Sequence, residues 1–290
     1  KIFLKGEKTM KKLLTLIIAA LTSVCALFSF TACGNKKDPN KLYVGMECAY
    51  APYNYTQTTD ENGALKISNA PGYANGYDVL IAKKIAESIG KELVIVKQEW
   101  DALIPAVQSG SLDFIIAGMS RTDERKESID FSDPYYTSQL VIVVRKDGKY
   151  ANAKNLADFN GAKLVAQNGT FHDKALNEQG EGYGITRMTP MESFPLMIQA
   201  LKVKSVDGYI AEDPGARADC AANSDFTCIS LVNNETGFTT TPGDIEISVG
   251  LKKGSEYLTV INEALAKISE AERQTLLETA INNALGGSVE

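Results

Sequence analysis

This sequence predicts an α/β protein built as two units, and three observations carry the prediction. Short apolar runs alternate with amphipathic stretches from about residue 42 to residue 285, the rhythm of strands joined by crossover helices in parallel sheets. The length of 290 residues is more than one hydrophobic core usually organises, so two domains are expected over one. With 44% hydrophobic and 23% charged residues, the composition is that of a folded globular chain and not of a disordered or fibrous one.

The elements follow in order. Residues 42–46 form the first strand. Residues 56–75 are polar and turn-rich and make a surface hairpin or loop. Residues 78–89 place Val79, Ala82, Ile85, Ala86 and Ile89 on one helical face, closed by Gly90. Residues 93–96 are the next strand, and a short helix from Trp100 ends at Gly110. The apolar run 112–116 suits a strand covered on both faces. The small-residue loop 117–120, Ala-Gly-Met-Ser, leaves that strand at its carboxyl end, where open α/β sheets bind ligands. Thr122 is a good N-cap and puts Arg125 in the first helical turn. A cation there opposes the helix dipole, so stability does not explain it; an anion receptor does.

Asp-Phe-Ser-Asp-Pro at 130–134 is a turn, and the β-branched run 140–144 is expected to begin a crossover to the second unit. That unit repeats the pattern: strand 163–166, helix 193–201, strand 208–210, a helix opening at Pro214, strand 227–231. Residues 245–251 read as a return strand. Two helices, from Ser255 and Ser269, complete the pattern, and Ser269 with Glu272 reads as a capping box.

The formal net charge is −6. Residues 1–32 hold five Lys and one Glu, which leaves 25 basic and 35 acidic residues, net −10, in the remainder. An acidic body without a basic stripe argues against nucleic acid as a partner. Lys11 and Lys12 precede an apolar run over 13–30, and Phe-Thr-Ala-Cys-Gly at 30–34 resembles a lipobox. The run is therefore read as a secretory signal, with Cys33 as lipid acceptor, in preference to a retained spanning helix. Two acyl chains on Cys33 give the lasting attachment that one does not. Met10 is the expected start, with residues 1–9 upstream of it. Cys25 leaves with the signal, so Cys48, Cys220 and Cys228 remain, an odd count that argues against a disulfide framework. A Cys220–Cys228 bond is open but not expected. The chain has a single His, no spacing suits a metal site, and no cofactor is expected.

Several blocks then agree in order: Ala-Tyr-Ala-Pro-Tyr at 49–53, Gly-Tyr-Asp-Val at 76–79, the whole stretch 100–136, Gly-Thr at 169–170 and Val-Asp-Gly-Tyr-Ile-Ala-Glu at 206–212. Together they resemble the polar amino acid-binding proteins of ABC importers, the extracellular solute-binding proteins of family 3, over about 42–285. The resemblance implies the type 2 periplasmic-binding-protein fold, two lobes joined by two crossing hinge strands near 140–144 and 244–249, preceded by a signal peptide. It divides the chain into an upstream extension and lipoprotein signal (1–32), a lipidated tether (33–41), lobe 1 (42–142 and 245–290) and lobe 2 (143–244). It implies a monomeric, lipid-anchored, extracytoplasmic protein that captures a free polar amino acid, the cationic Lys, Arg and His among them. The captured amino acid passes to an ABC permease and its ATPase subunits, with no bond broken.

A free amino acid is a zwitterion, and burying it requires a partner for each charge. Arg125 is the candidate clamp for the carboxylate, since its planar fork accepts two oxygens where Lys offers one point charge; the alternative is a solvated pair with Asp123 or Glu127. Ser120 and Gly118 would add a hydroxyl and backbone groups, although Gly118 also suits a simple turn. The resemblance gives Thr170 backbone and hydroxyl contacts to the same carboxylate, and gives Glu212 the ammonium. It places Tyr50 and Trp100 as walls around the side chain, where core packing is the competing reading. It sets Glu47 against a cationic tip, with a solvated strand-end acid equally open. Phe171 and His172 depart from the usual pair after Gly-Thr and leave ligand identity open.

Two other classes compete. A dehydratase of amino acid precursors on this scaffold would use Glu212 or His172 as acid or base. A sensor ectodomain would require a downstream membrane helix and signalling domain.

Overall fold

The computed structural model describes residues 37–286. The expected signal, Met10 and Cys33 lie outside the described residues. Two five-stranded sheets organise the chain from Asn40 onward. In the first, the order is Glu92–Lys97, Lys41–Met46, Phe114–Ile115, Gly250–Leu251, Asp130–Phe131. Its first three strands are parallel; Gly250–Leu251 runs antiparallel to both neighbours. In the second, the order is Thr186–Arg187, Lys163–Val165, Gly208–Glu212, Leu140–Arg145, Phe226–Ser230, and Leu140–Arg145 is the antiparallel member. Both sheets are therefore mixed, where alternation alone predicts parallel ones. Each antiparallel strand is a segment that has just arrived from the other lobe.

Burial shows why these segments are strands. Leu140, Ile142 and Val144 face one core and Val141 and Val143 another, so helices cover both faces and every position is apolar. For the same reason the run 140–144 is not the crossover it resembles in sequence: it is already the fourth strand of the second sheet. The crossing is made just before it, where Tyr136–Thr137 pairs antiparallel with Glu246–Ile247. The expected return strand 245–251 is likewise broken. Ile245 closes a short helix, Pro242–Ile245, capped by Thr241 and Asp244. Glu246–Ile247 then crosses, and Gly250–Leu251 enters the first sheet.

Helix Tyr77–Ile89 ends on Gly90 at φ 74, the left-handed conformation a glycine accepts without strain. Its start is less expected. Asp78 is fully buried, accepting from Tyr135 Oη at 2.6 Å and Asn54 Nδ2 at 2.8 Å, and burial pushes its carboxyl up to about 6. The polar stretch 56–75 forms most of a four-stranded antiparallel sheet ordered Ala49–Tyr50, Asn54–Gln57, Tyr73–Asn75, Leu65–Lys66. At the C-terminal helix, Glu270–Ala284, Ser269 Oγ accepts from Glu272 N at 3.2 Å, which is the cap without the box. Cys220 and Cys228 are joined in a disulfide, contrary to the expectation from the odd count. Helix Asp213–Ala222 and strand Phe226–Ser230 form a tight helix–strand corner that brings the two sulfurs together, which spacing alone does not reveal. Cys48 is free and buried. Among the described residues no helix is long and apolar enough to cross a membrane.

Candidate functional site

The carboxyl ends of strands from both sheets converge. Glu47 follows Lys41–Met46, the 117–120 loop follows Phe114–Ile115, residues 167–170 follow Lys163–Val165, and Glu212 ends Gly208–Glu212. This is the edge where strand order leaves a crevice in α/β sheets.

Thr122 caps helix Asp123–Ser128 as the sequence predicts, its hydroxyl accepting from Arg125 N at 3.3 Å. The guanidinium of Arg125 folds back over the loop. Nη1 donates to Ser120 O at 2.8 Å and to Ser120 Oγ at 3.3 Å; Nη2 crosses to the second lobe and donates to Gly169 O at 3.1 Å. The group lies over the Trp100 ring, 5.2 Å from its centroid. Burial pulls its pKa down to about 10 against the attraction of Glu212, so it remains a cation at neutral pH. Trp100 is half-buried, packed against the core on one side and facing the guanidinium on the other. Its Nε1 donates to the same Gly169 carbonyl at 3.2 Å. Gly169 has φ +67, a conformation that favours glycine, and a Cβ there would stand 2.7 Å from Asp101 Oδ1 and push that exposed carboxylate aside.

On the opposite wall Glu212 is only 4% exposed. His172 Nε2 lies 2.8 Å from its Oε1, and Tyr50 Oη donates a short hydrogen bond to its Oε2. Burial and the neighbouring Glu212 hold the Tyr50 phenol well above its ordinary range. The Tyr50 ring stacks on Phe194, with centroids 3.9 Å apart and planes within 9°. It also lies against Gly118, whose φ of +61 suits glycine and where a Cβ would come within 3.4 Å of the ring. Thr170 places its hydroxyl differently from expectation. It donates to Gln167 O at 2.6 Å and accepts from Asp173 N at 3.4 Å, capping helix Phe171–Gln179.

Tyr50, Trp100, Gly118, Ser120, Arg125, Thr170 and Glu212 line one cavity, together with Gln167, Phe171, His172 and Phe194. The side chains leave about 10 Å³ between them, room for roughly one water, so the walls must part before a larger guest enters. A wider opening of about 530 Å³ shares Arg125, Thr170 and Phe171 with it. Glu47 stands one residue behind the wall. It is 3% exposed and accepts from Gln167 Nε2 at 2.9 Å. Burial drives its carboxyl up to about 7, opposed by that hydrogen bond and reinforced by Glu99. Gln167 and Phe194 escape sequence reasoning. Gln167 carries a usable signal, its place just past a strand's carboxyl end; Phe194, at the start of helix Phe194–Lys202, reads only as core.

The model for bacterial extracellular solute-binding proteins, family 3, matches residues 42–282. The arginine-binding extracellular protein ArtP of Bacillus subtilis is 28% identical over 90% of this chain and 94% of its own length. A probable histidine-binding protein of Campylobacter jejuni is 29% identical over 75% of this chain and 80% of its own. Among solved structures, an amino acid ABC transporter substrate-binding protein from Streptococcus pneumoniae, bound to L-arginine, superposes with a TM-score of 0.72 at 27% identity, covering 84% of this chain and 94% of that one. With two sheets, a paired crossing and a crevice of this kind between them, the chain belongs to the bacterial extracellular solute-binding proteins of family 3.

Proposed function

We propose that this protein captures a polar amino acid between its two lobes, cationic ones first, and delivers it to an ABC permease powered by its ATPase subunits. One observation carries the reading: a guanidinium from one sheet and a carboxylate from the other, Arg125 and Glu212, line the same small cavity. Such a pair neutralises both ends of a zwitterion, and neither charge would be worth burying otherwise. In this reading Arg125, Ser120 and the backbone amide of Thr170 take the carboxylate. Glu212 takes the ammonium once Tyr50 swings away. The side chain passes between Tyr50 and Trp100 towards Gln167 and Glu47. The relatives that bind arginine, or are named as histidine-binding, support a cationic tip, and so does the buried acid behind Gln167.

The half built on the first sheet and the half built on the second, with the whole strand Leu140–Arg145 in the second, would part about the strands Tyr136–Thr137 and Glu246–Ile247, and ligand would favour closure because only then do both halves hold it. The protein would work as a monomer outside the cytoplasm, held to the membrane by diacylated Cys33, and would leave its ligand chemically unchanged. A thermal-shift screen of the standard amino acids on protein beginning after Cys33 tests the central point. Lysine, arginine or histidine should give the largest stabilisation. A melting temperature indifferent to every amino acid removes the proposal, and a new product in the mixture would favour the dehydratase.

A further inference from the structure

Both oxygens of Glu212 already have partners, and the two partners come from different places. His172 sits in the first turn of Phe171–Gln179, just after strand Lys163–Val165. Glu212 ends the adjacent strand, with Val165 opposite Tyr209. The His172–Glu212 contact at 2.8 Å therefore lies within one sheet and its helix. Tyr50 reaches Glu212 from the antiparallel hairpin beside the other sheet. Parting of the lobes breaks the Tyr50 contact and leaves the His172 contact whole.

The imidazole is fixed as well. His172 is 5% exposed, and Phe194 meets its ring edge-on at 6.3 Å and 80°. Nδ1 is buried with no hydrogen-bond partner among the described residues. Of the two ring nitrogens only Nε2 faces an acceptor, so Nε2–H is the donor to Glu212.

We infer that His172 is a positioning residue for ligand capture. It holds the Glu212 carboxylate in its cavity-facing rotamer before the amino acid arrives, so the incoming ammonium replaces the Tyr50 hydroxyl and not the imidazole. A glutamate left free would have to be ordered at the moment of binding, and that ordering would weaken the complex. The inference rests on the amino acid receptor reading above. It makes a distinct demand: His172 acts on the part common to all amino acids, so its loss must weaken ligands with and without a cationic tip alike.

Calorimetry with L-arginine and L-glutamine on the parent, His172→Leu and His172→Gln tests this. His172→Leu should bind each amino acid that the parent binds roughly 10-fold or more weakly, the effect of losing a hydrogen bond to a charged group. His172→Gln, whose amide can reach the same oxygen, should recover to within about 3-fold. Because the chain has one His, nitrogen NMR of its ring reads the positioning without ligand. The parent should show the Nε2–H tautomer, and Glu212→Ala should lose that preference. Parental affinity in a folded His172→Leu, or an Nδ1–H tautomer in the parent, overturns the inference. Should the parent bind no amino acid, the receptor reading falls, while the ring spectra still decide whether His172 holds Glu212.

Discussion

Replacing Glu47 with Gln should stabilise the ligand-free protein at pH 8 and weaken its hold on a cationic amino acid. The buried carboxyl is raised from 4.5 to about 7, so the folded state binds its proton more tightly than the unfolded chain does. That contribution is complete below pH 4.5 and is lost as pH rises through about 7. The shift corresponds to about 3 kcal/mol at about 1.4 kcal/mol per unit. At 3% exposure little solvent screening reduces it. Glutamine keeps an oxygen for Gln167 Nε2 and carries no charge to bury. In urea titrations without ligand, Glu47→Gln should therefore gain on the parent by about 2–3 kcal/mol between pH 5 and pH 8. Asp78 and Asp219, raised to about 6 and about 7, tilt both proteins in the same direction and cancel in the difference. In the complex a cationic tip repairs what the buried charge costs, so arginine affinity at pH 8 should fall by roughly 10-fold or more while glutamine affinity changes far less. Stability curves for the two proteins that stay parallel from pH 5 to 8 would refute the burial argument. An unaltered preference for arginine would refute the role in selectivity.

Arg125→Ala should cost about 2–5 kcal/mol of binding free energy by calorimetry, since it leaves the ligand carboxylate unpaired; parental affinity would end its role as the clamp. Gly169→Ala should lower stability in urea unfolding by about 1–2 kcal/mol with or without ligand, because φ +67 strains any L side chain; parental stability would remove the conformational requirement. Replacing Cys220 and Cys228 with Ser should cost about 2 kcal/mol in urea unfolding, the chain-entropy value for so short a loop. Alkylation of the unreduced, unfolded protein beginning after Cys33 should label Cys48 alone.

Local chemistry made much of this legible before any coordinates. The stripe from Val79 to Ile89 with Gly90 after it marks a helix and its end within a residue, because amphipathic period and a left-handed cap are both local properties. Thr122 is the same kind of signal, and it places Arg125. What escaped is what depends on distant partners. The run 140–144 is apolar at every position, and whether such a run crosses between lobes or lies inside one depends on the two strands that flank it, Gly208–Glu212 and Phe226–Ser230. Asp78 looks like a solvated first-turn acid until Tyr135 and Asn54 are brought to it. Gln167 and Phe194 become site residues only because Glu47 and Tyr50, more than a hundred residues earlier in the chain, are folded against them. The Thr170 hydroxyl is spent on a cap, a competition for one oxygen that sequence spacing does not resolve.

The loop carrying Ser120 is stitched to the returning crossing strand. Ser120 bridges Ile247, Arg121 N donates to Glu246 O at 3.1 Å, and Ser248 N donates to Met119 O at 3.0 Å. Half of the proposed anion receptor is therefore mounted on the pivot itself. Glu212 stands beside the same pivot from the other side, opposite Leu140, three residues after the crossing strand Tyr136–Thr137. In the receptor reading both charged groups would keep near the axis while the outer rims of the halves travel farthest, so a guest entering the open mouth would meet an acid and a base already close to their final spacing.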